Sequence, residues 1–239
     1  MKTVAIIIAG GSGNRMGQDI PKQFINVFDK PVIVYTLEAF QKHPMIEEIY
    51  VVCIDGWHEI LKAYAKQFNI TKLREVFAGG KSAQESIRNG VLGIKDKVES
   101  DSIVVIHDGV RPLIEDAVLS DVIIKCKEHG NAVTSMPYNE QIFKKLDEET
   151  TIEYIPRDSL RRVSTPQAYK YDTLLWAYNK AFNENIGIGE ATYTNTMMVD
   201  LGVKLYFASG SDKNIKLTTK DNLEMFKAYL KMEQDKWIK

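Results

Sequence analysis

The sequence predicts an α/β fold built on a mainly parallel β-sheet. Three runs of strand length, Val4–Ala9, Ile49–Ile54 and Ser102–His107, are almost continuously apolar, which is typical of strands buried on both faces. Segments with helical spacing of apolar residues separate these runs. Because parallel neighbours need such crossover connections, the alternation indicates a sheet covered by helices.

The first half of the chain gives the clearest alternation. Pro31 suits the first turn of a helix, and the glycine pair Gly79-Gly80 separates a strand from the next helix. In chain order we expect a strand at Val4–Ala9, a helix at Pro31–Phe40, a strand at Ile49–Ile54, a helix at Trp57–Phe68, a strand at Leu73–Phe77, a helix from Ala83–Gly90, a strand at Ser102–His107, a helix at Asp116–His129 and a strand at Ala132–Pro137.

The second half of the chain is less regular. The segment Asn139–Asp158 contains two polar strand-like stretches around an acidic turn, which predicts a β-hairpin. Because an isolated hairpin is marginal in water, we expect it to pack on the parent domain or on a partner chain, the alternative being a solvated surface hairpin. After it we expect an extended turn at Ser164–Tyr169, a helix at Tyr171–Asn183, a loop at Ile186–Gly189, a helical turn within Tyr193–Asp200, a strand at Lys204–Ala208 and a helix at Asn222–Met232.

Composition is that of a soluble globular enzyme. The 239 residues, 44% hydrophobic and 26% charged, suit a single domain spanning 1–239. Thirty-one basic and 32 acidic residues leave a net charge of −1, so no global charge attracts nucleic acid or a membrane. The two cysteines are far apart in apolar contexts, which favours free thiols and a cytoplasmic location.

The strongest functional signal follows the first strand. Residues Gly10–Gly13 come directly after Val4–Ala9, and their glycines let the backbone approach an anion closely. The N–H groups of such a turn can point at phosphate oxygens. Arg15 can fork onto two of those oxygens, and Lys22 adds a compact positive charge. Together these features predict a polyphosphate site, although a glycine-rich turn alone would also fit an ordinary loop.

Several common site types do not fit the chain. The glycines lack the G-x-G-x-x-G spacing of dinucleotide-binding proteins, and no Gly-Lys-Ser/Thr follows as in a P-loop. The four histidines are scattered, and no Cys/His spacing suits zinc. No Ser-His-Asp or Cys-His arrangement is supported. The remaining signals therefore point to phosphate binding without a dedicated protein metal site.

Further candidates lie at the carboxyl ends of predicted strands, where ligand sites form in open α/β sheets. Asp108 and Arg111 either bind hydroxyls, or a cation with phosphate, or form a local ion pair. His107 is better interpreted as a neutral structural histidine, because a phosphate monoester is already anionic and needs no general base. Gly79-Gly80 with Ser86 either faces a nucleobase or is simply a turn.

Together these motifs resemble the cytidylyltransferases that act on methylerythritol phosphate and on ribitol phosphate. The resemblance covers nearly the whole chain and keeps the order and spacing of the motifs. The matching elements are Ala9–Gln23, Gly79-Gly80 with Ser86, His107-Asp108 with Arg111-Pro112, Arg157, Thr165-Pro166-Gln167, and Asn214 to Thr218.

The resemblance implies a Rossmann-like nucleotidyltransferase fold and a homodimer in which the 139–158 hairpin protrudes as an arm around the other subunit. It implies attack of a polyol-phosphate oxygen on the α-phosphorus of CTP, with Mg²⁺ held mainly by triphosphate oxygens. By position in the motifs, the catalytic residues would be Arg15, Lys22, Lys216 and the partner's Arg157. The CTP-binding residues would be Ala9, Gly10, Gly11, Ser12, Gly13, Gly80 and Ser86, and the acceptor-binding residues Asp108, Arg111, Gln141, Thr165 and Thr194.

The chain departs from the family pattern at three places. Family members usually carry Arg at the position of Ala83, Asp-Thr at Glu140-Gln141, and two acidic residues at Asn195-Thr196. The last two places lie, by resemblance, on the acceptor side. We therefore expect a polyol phosphate destined for a surface polymer, such as ribitol 5-phosphate or a glycerol-type phosphate. The alternatives are methylerythritol 4-phosphate as acceptor and, in another class, a catalytically silent nucleotide-binding protein.

Overall fold

The structure is a computed structural model that describes residues 1–11, 20–189 and 193–235, with side chains up to residue 233. The described strands are β1 (Thr3–Ala9), β2 (Asn26–Val27), β3 (Lys30–Pro31), β4 (Glu48–Cys53), β5 (Leu73–Ala78), β6 (Ile103–Asp108), β7 (Asn131–Pro137), β8 (Ile142–Lys145), β9 (Thr151–Ile155), β10 (Arg161–Lys170) and β11 (Phe207–Ser209). The described helices are α1 (Val32–Lys42), α2 (His58–Gln67), α3 (Ala83–Gly93), α4 (Asp116–His129), α5 (Tyr171–Glu184), α6 (Thr194–Asp200) and α7 (Lys220–Asp235).

Seven of these strands form one mixed sheet in the order β11-β7-β10-β6-β1-β4-β5. Strand β10 runs antiparallel to both β6 and β7, and the other pairs in this sheet are parallel. The predicted α/β class with a mainly parallel mixed sheet is therefore confirmed. Strand β1 lies near the middle of the sheet, so its carboxyl end is held by strands on both sides.

Two predictions for the second half of the chain were wrong. The expected turn at Ser164–Tyr169 lies inside strand β10, whose pairing with β7 is irregular between Ser164 and Gln167. Proline lacks an N–H, so Pro166 interrupts the ladder without ending the strand. The strand expected at Lys204–Ala208 begins only at Phe207, because the side chain of Asn131 donates to the carbonyl of Lys204 and accepts from the N–H of Tyr206 in place of a neighbouring strand.

The core lies on both faces of the sheet. Ala5 and Ile7 of β1 contribute to one hydrophobic cluster, together with Leu37 of α1, while Val4 and Ile6 contribute to the cluster on the other face. Burying a large aliphatic side chain contributes about 1.5–3 kcal/mol, so this packing fixes β1 firmly. The site residues that follow β1 therefore start from a rigid support.

Among the strands that the structure describes, β8 and β9 pair only with each other, in a separate two-stranded sheet within the predicted 139–158 hairpin. Four large apolar side chains of this hairpin are exposed by more than half: Phe143, Leu146, Ile152 and Tyr154. The sequence had indicated polar strands, so this exposed apolar surface is a finding of the structure.

Neither a disulfide nor a membrane-spanning helix is found among the described residues. Cys53 and Cys126 are both buried and unpaired, and burial raises the pKa of each thiol to about 12. Within the part of the chain that the structure describes, no helix is long and apolar enough to cross a membrane.

Candidate active site

Two adjoining cavities lie at the carboxyl ends of β1 and β6. The first, which we call the glycine cavity, has a volume of about 470 Å³. The second, which we call the threonine cavity, has a volume of about 270 Å³ and includes Thr165 and Thr194 in its lining. Asp108 and Lys216 belong to the walls of both cavities, together with Ile8 and Ala83. Two ligands could therefore occupy separate chambers and meet at a shared charged wall.

The glycine cavity is lined by tightly packed backbone. A Cβ atom on Gly10 would lie 2.9 Å from Ser86 Oγ, and one on Gly79 would lie 3.4 Å from the Cα of Gly10. Ser86 Oγ accepts a 2.9 Å hydrogen bond from the N–H of Gly80 and donates one of 2.9 Å to the carbonyl of Ser82. A side chain at Gly10 or Gly79 would therefore push apart the two backbone segments that pack together here, the one after β1 at Gly10 and the one after β5 at Gly79.

Lys22 lies in the wall of the glycine cavity and opens a 3₁₀ turn that ends at Phe24. Phe24 stacks on Trp57 with ring centroids 4.5 Å apart. The buried Gln23 side chain donates from Nε2 to the carbonyl of Ala9 at 2.7 Å and to that of Gly11 at 3.0 Å. The backbone at Lys22 is thus held beside the end of β1, because Gln23 binds that end and Phe24 packs on Trp57.

Gln23 is a site residue that sequence reasoning missed. It stands beside Lys22 in the string Pro21-Lys22-Gln23, which carried part of the family resemblance, but its burial could not be read from the sequence. A trans peptide points its C=O and N–H in opposite directions. The carbonyl of Ala9 and the N–H of Gly10 belong to one peptide group. By binding that carbonyl, Gln23 keeps its partly negative oxygen turned away from any anion that the N–H of Gly10 would bind.

Asp108 organises the wall that the two cavities share. Its Oδ2 accepts from Arg111 Nε at 2.8 Å and from Thr165 Oγ1 at 3.2 Å, and Lys216 Nζ lies 3.2 Å from Oδ2 and 3.3 Å from Oδ1. Burial raises the pKa of Asp108, but the charges of Lys216 and Arg111 outweigh that effect and hold the pKa well below its usual range. Two cations around one carboxylate leave one net positive charge for a phosphate.

Hydrogen bonds to three backbone carbonyls bring Lys216 to this wall from far along the chain. Arg111 Nη1 donates to the carbonyl of Asn214 at 2.7 Å, and the Asn214 side chain donates to the carbonyl of Thr165 at 2.7 Å. The N–H of Leu217 donates to the carbonyl of Val110 at 2.9 Å. The ion pair between Asp108 and Arg111 that the sequence left as an alternative is therefore present, and it also positions the segment that carries Lys216.

His107 supports the site without entering it. The ring is fully buried, its Nε2 lies 3.0 Å from the carbonyl of Arg111, and burial lowers its pKa to about 4. The imidazole is therefore neutral near physiological pH and donates to that carbonyl. This geometry agrees with the interpretation of His107 as a structural residue.

The structure places most predicted site residues in the two cavities. The glycine cavity contains Ala9, Gly10, Gly11, Lys22, Gly80, Ser86, Asp108 and Lys216, and the threonine cavity contains Asp108, Arg111, Thr165, Thr194 and Lys216. Ser12, Gly13 and Arg15 lie outside the described residues. Gln141 and Arg157 are exposed on the 139–158 hairpin and line neither cavity of their own chain. Their predicted roles would require a second subunit.

Comparison with known sequences gives a consistent result. Residues 3–232 match the family model described as IspD: 2-C-methyl-D-erythritol 4-phosphate cytidylyltransferase. A ribitol-5-phosphate cytidylyltransferase of Lacticaseibacillus paracasei is 59% identical, over 96% of this chain and 98% of that protein. One of Vibrio parahaemolyticus is 36% identical over 97% of each chain. A 2-C-methyl-D-erythritol 4-phosphate cytidylyltransferase of Clostridium novyi is 35% identical over 96% of each.

Solved structures agree on the fold. The 4-diphosphocytidyl-2C-methyl-D-erythritol synthase of Anaerococcus prevotii superimposes with a TM-score of 0.80 at 23% identity, covering 96% of this chain and 98% of that one. The 2-C-methyl-D-erythritol 4-phosphate cytidylyltransferase of Francisella tularensis gives a TM-score of 0.77 at 23% identity, covering 94% and 98%. At these identities the likeness concerns the architecture alone.

Proposed function

The chain belongs to the IspD family of cytidylyltransferases, and on that premise we propose that it transfers CMP from CTP to a polyol phosphate, forming a CDP-polyol and pyrophosphate. The observation that carries the proposal is the wall of Asp108 and Lys216 shared by the two cavities. A triphosphate in the glycine cavity and a phosphate monoester in the threonine cavity would meet at this wall.

Ribitol 5-phosphate is the proposed acceptor, with a related glycerol-type phosphate next, and the product would serve surface polymer synthesis. The support is the relative at 59% identity, which is named for ribitol 5-phosphate, whereas the relatives named for methylerythritol 4-phosphate are near 35%. Methylerythritol 4-phosphate remains the alternative acceptor, because the matching family model carries that name.

The proposed chemistry is a displacement at phosphorus. A phosphate oxygen of the acceptor forms a bond to the α-phosphorus of CTP, and the bond from that phosphorus to the β-phosphate oxygen breaks to release pyrophosphate. The acceptor phosphate is already an anion, so no proton has to be removed. Lys22 and Arg15 stabilise charge on the triphosphate, while Lys216 and Arg111 hold the acceptor phosphate in line. Positioning and charge neutralisation supply the catalysis.

We also propose that Mg²⁺ accompanies CTP. Among the described residues no group of three metal-binding side chains is present, and both carboxylate oxygens of Asp108 already contact a cation or hydroxyl. This donor set fits an ion that takes its ligands mainly from triphosphate oxygens and water, as Mg²⁺ commonly does. When bound, the ion would neutralise charge on the departing pyrophosphate.

A homodimer in the cytoplasm completes the proposal. The exposed apolar side chains of the 139–158 hairpin, with Ile152 at 85% exposure, would be covered by a second copy of the chain. The cavity lined by Arg157 shares no described residue with the glycine or threonine cavity of the same chain. This separation supports a role for Arg157 in the partner's site.

The buried free thiols of Cys53 and Cys126 suit a reducing compartment, which supports the proposed cytoplasmic location.

The proposal is tested by measuring pyrophosphate release with CTP, ATP or GTP against a panel of polyol phosphates. We expect the largest kcat/KM with CTP and ribitol 5-phosphate, and a value lower by about 10²-fold or more with purine triphosphates. The reason is an expectation: a base lying against the packed turn at Gly79 and Gly80 would have room as a pyrimidine and not as a purine. Comparable kcat/KM for a purine would contradict this selectivity. CTP binding without turnover of any acceptor would favour a catalytically silent nucleotide-binding protein.

A further inference from the structure

A chain of buried hydrogen bonds leads from the loop before α6 to the threonine cavity. Gln84 Nε2 donates to the carbonyl of Gly187 at 3.2 Å, and the Tyr178 hydroxyl donates to Gln84 Oε1 at 2.9 Å. The Tyr178 oxygen lies 2.8 Å from Thr194 Oγ1. The side chains of Gln84, Tyr178 and Thr194, which we call the relay, are each at most 2% exposed.

The direction of each hydrogen bond follows from the carbonyl at the start of the relay. The carbonyl of Gly187 can only accept, so Gln84 presents its amide nitrogen there and its oxygen to Tyr178. The single hydroxyl hydrogen of Tyr178 is then used on Gln84. The Thr194 hydroxyl must therefore donate to the Tyr178 oxygen. Thr194 Oγ1 keeps lone pairs but has no hydrogen left to give.

The fold holds both ends of the relay in place. Gly187 has a φ of +61°, and a Cβ atom there would lie 2.8 Å from the Cα of Met197 on α6. Only glycine allows the loop to pack this closely against the helix that begins at Thr194. Thr194 lines the threonine cavity, in which Arg111 and Lys216 supply the positive charge.

We propose that Gln84 and Tyr178 are positioning residues that fix Thr194 as a hydrogen-bond acceptor, so that the threonine cavity selects a hydroxyl of the polyol at this point. This inference rests on the proposed function. Phosphate and carboxylate oxygens carry no hydrogen near neutral pH and gain nothing from Thr194. The relay therefore orients the acceptor with a hydroxyl at Thr194 and its phosphate at Arg111 and Lys216.

The test compares the wild-type enzyme with three variants, using ribitol 5-phosphate and analogues in which one hydroxyl at a time is replaced by fluorine. Fluorine cannot donate a hydrogen bond. Wild type should lose about tenfold in kcat/KM with one of these analogues. Gln84→Met removes the partner of Tyr178, whose hydroxyl can then turn and donate to Thr194. The Thr194 hydrogen is thereby released toward the cavity, so this variant should tolerate the same analogue within about threefold.

Tyr178→Phe should raise KM for ribitol 5-phosphate by about tenfold and leave KM for CTP within about twofold. Tyr171→Phe is the matched control, because Tyr171 is also a buried α5 tyrosine but donates to the carbonyl of Val91. It should change neither constant. Equal discrimination among the analogues by wild type and Gln84→Met would overturn the relay, as would equal changes in both KM values of Tyr178→Phe. If wild type itself forms no CDP-polyol, the proposed function fails instead.

Discussion

Replacing Lys22 by alanine is expected to lower kcat by about 10²–10³-fold, the usual loss when a fixed charge at a developing oxyanion is removed. Lys22 lines the glycine cavity, and its backbone is anchored by the contacts of Gln23 and Phe24. We therefore expect the ammonium group of Lys22 to lie near the triphosphate when negative charge shifts toward the departing pyrophosphate. Steady-state kinetics with saturating CTP and acceptor measure the effect.

The control for this prediction is Lys62→Ala, which removes an exposed lysine of α2 that pairs with Glu59 outside both cavities. It should leave kcat within about twofold, since exposed ion pairs contribute little. The thermal unfolding midpoint of Lys22→Ala should stay close to that of the wild type. A loss of less than about threefold in kcat would show that Lys22 is a solvated surface charge.

Arg157→Ala is expected to lose activity as severely as Lys22→Ala, and the two inactive proteins should complement each other after subunit exchange. If Arg157 serves the partner's site, a mixed dimer has one site with both lesions and one site with neither. Activity should then return to about half of the wild-type value per mixed dimer. Lys144→Ala, which removes another exposed cation of the hairpin, should remain active by itself.

Subunit exchange has to be demonstrated independently, for example by fluorescence energy transfer between labelled chains. If exchange occurs and no activity returns, every site keeps one lesion and Arg157 acts within its own chain. That outcome would contradict the shared site while leaving the cytidylyltransferase chemistry intact. A monomeric wild-type protein would contradict the proposed role of the exposed hairpin residues in the same way.

Local sequence was sufficient for the central strand. The apolar run Val4–Ala9 indicated a buried strand, which the structure shows, and at Gly10 a Cβ atom would lie 2.9 Å from Ser86 Oγ. The resemblance then identified Lys216 as a site residue. Its contact with Asp108, 108 positions away, depends on tertiary structure and not on any local pattern.

The turn wrongly predicted within β10 and the two glutamines missed at the site also depend on tertiary structure. Pro166 signals a break locally and so predicts a turn within β10, whereas pairing with β7 continues on both sides of it and pairing with β6 follows it from Gln167. Gln23 and Gln84 look like ordinary surface residues in the sequence. Their importance comes from burial, which obliges each amide to find partners, and burial is known only once the fold is known.

Oxygen labelling tests the attack of the acceptor phosphate on the α-phosphorus of CTP most directly. Ribitol 5-phosphate carrying ¹⁸O in its non-bridging phosphate oxygens is incubated with the wild-type protein, CTP and Mg²⁺, and the products are examined by phosphorus NMR and mass spectrometry. The account predicts that all of the label is recovered in CDP-ribitol, including the oxygen that bridges the two phosphorus atoms, and that pyrophosphate carries none. Label in pyrophosphate, or unlabelled CMP as the only nucleotide product, would contradict it.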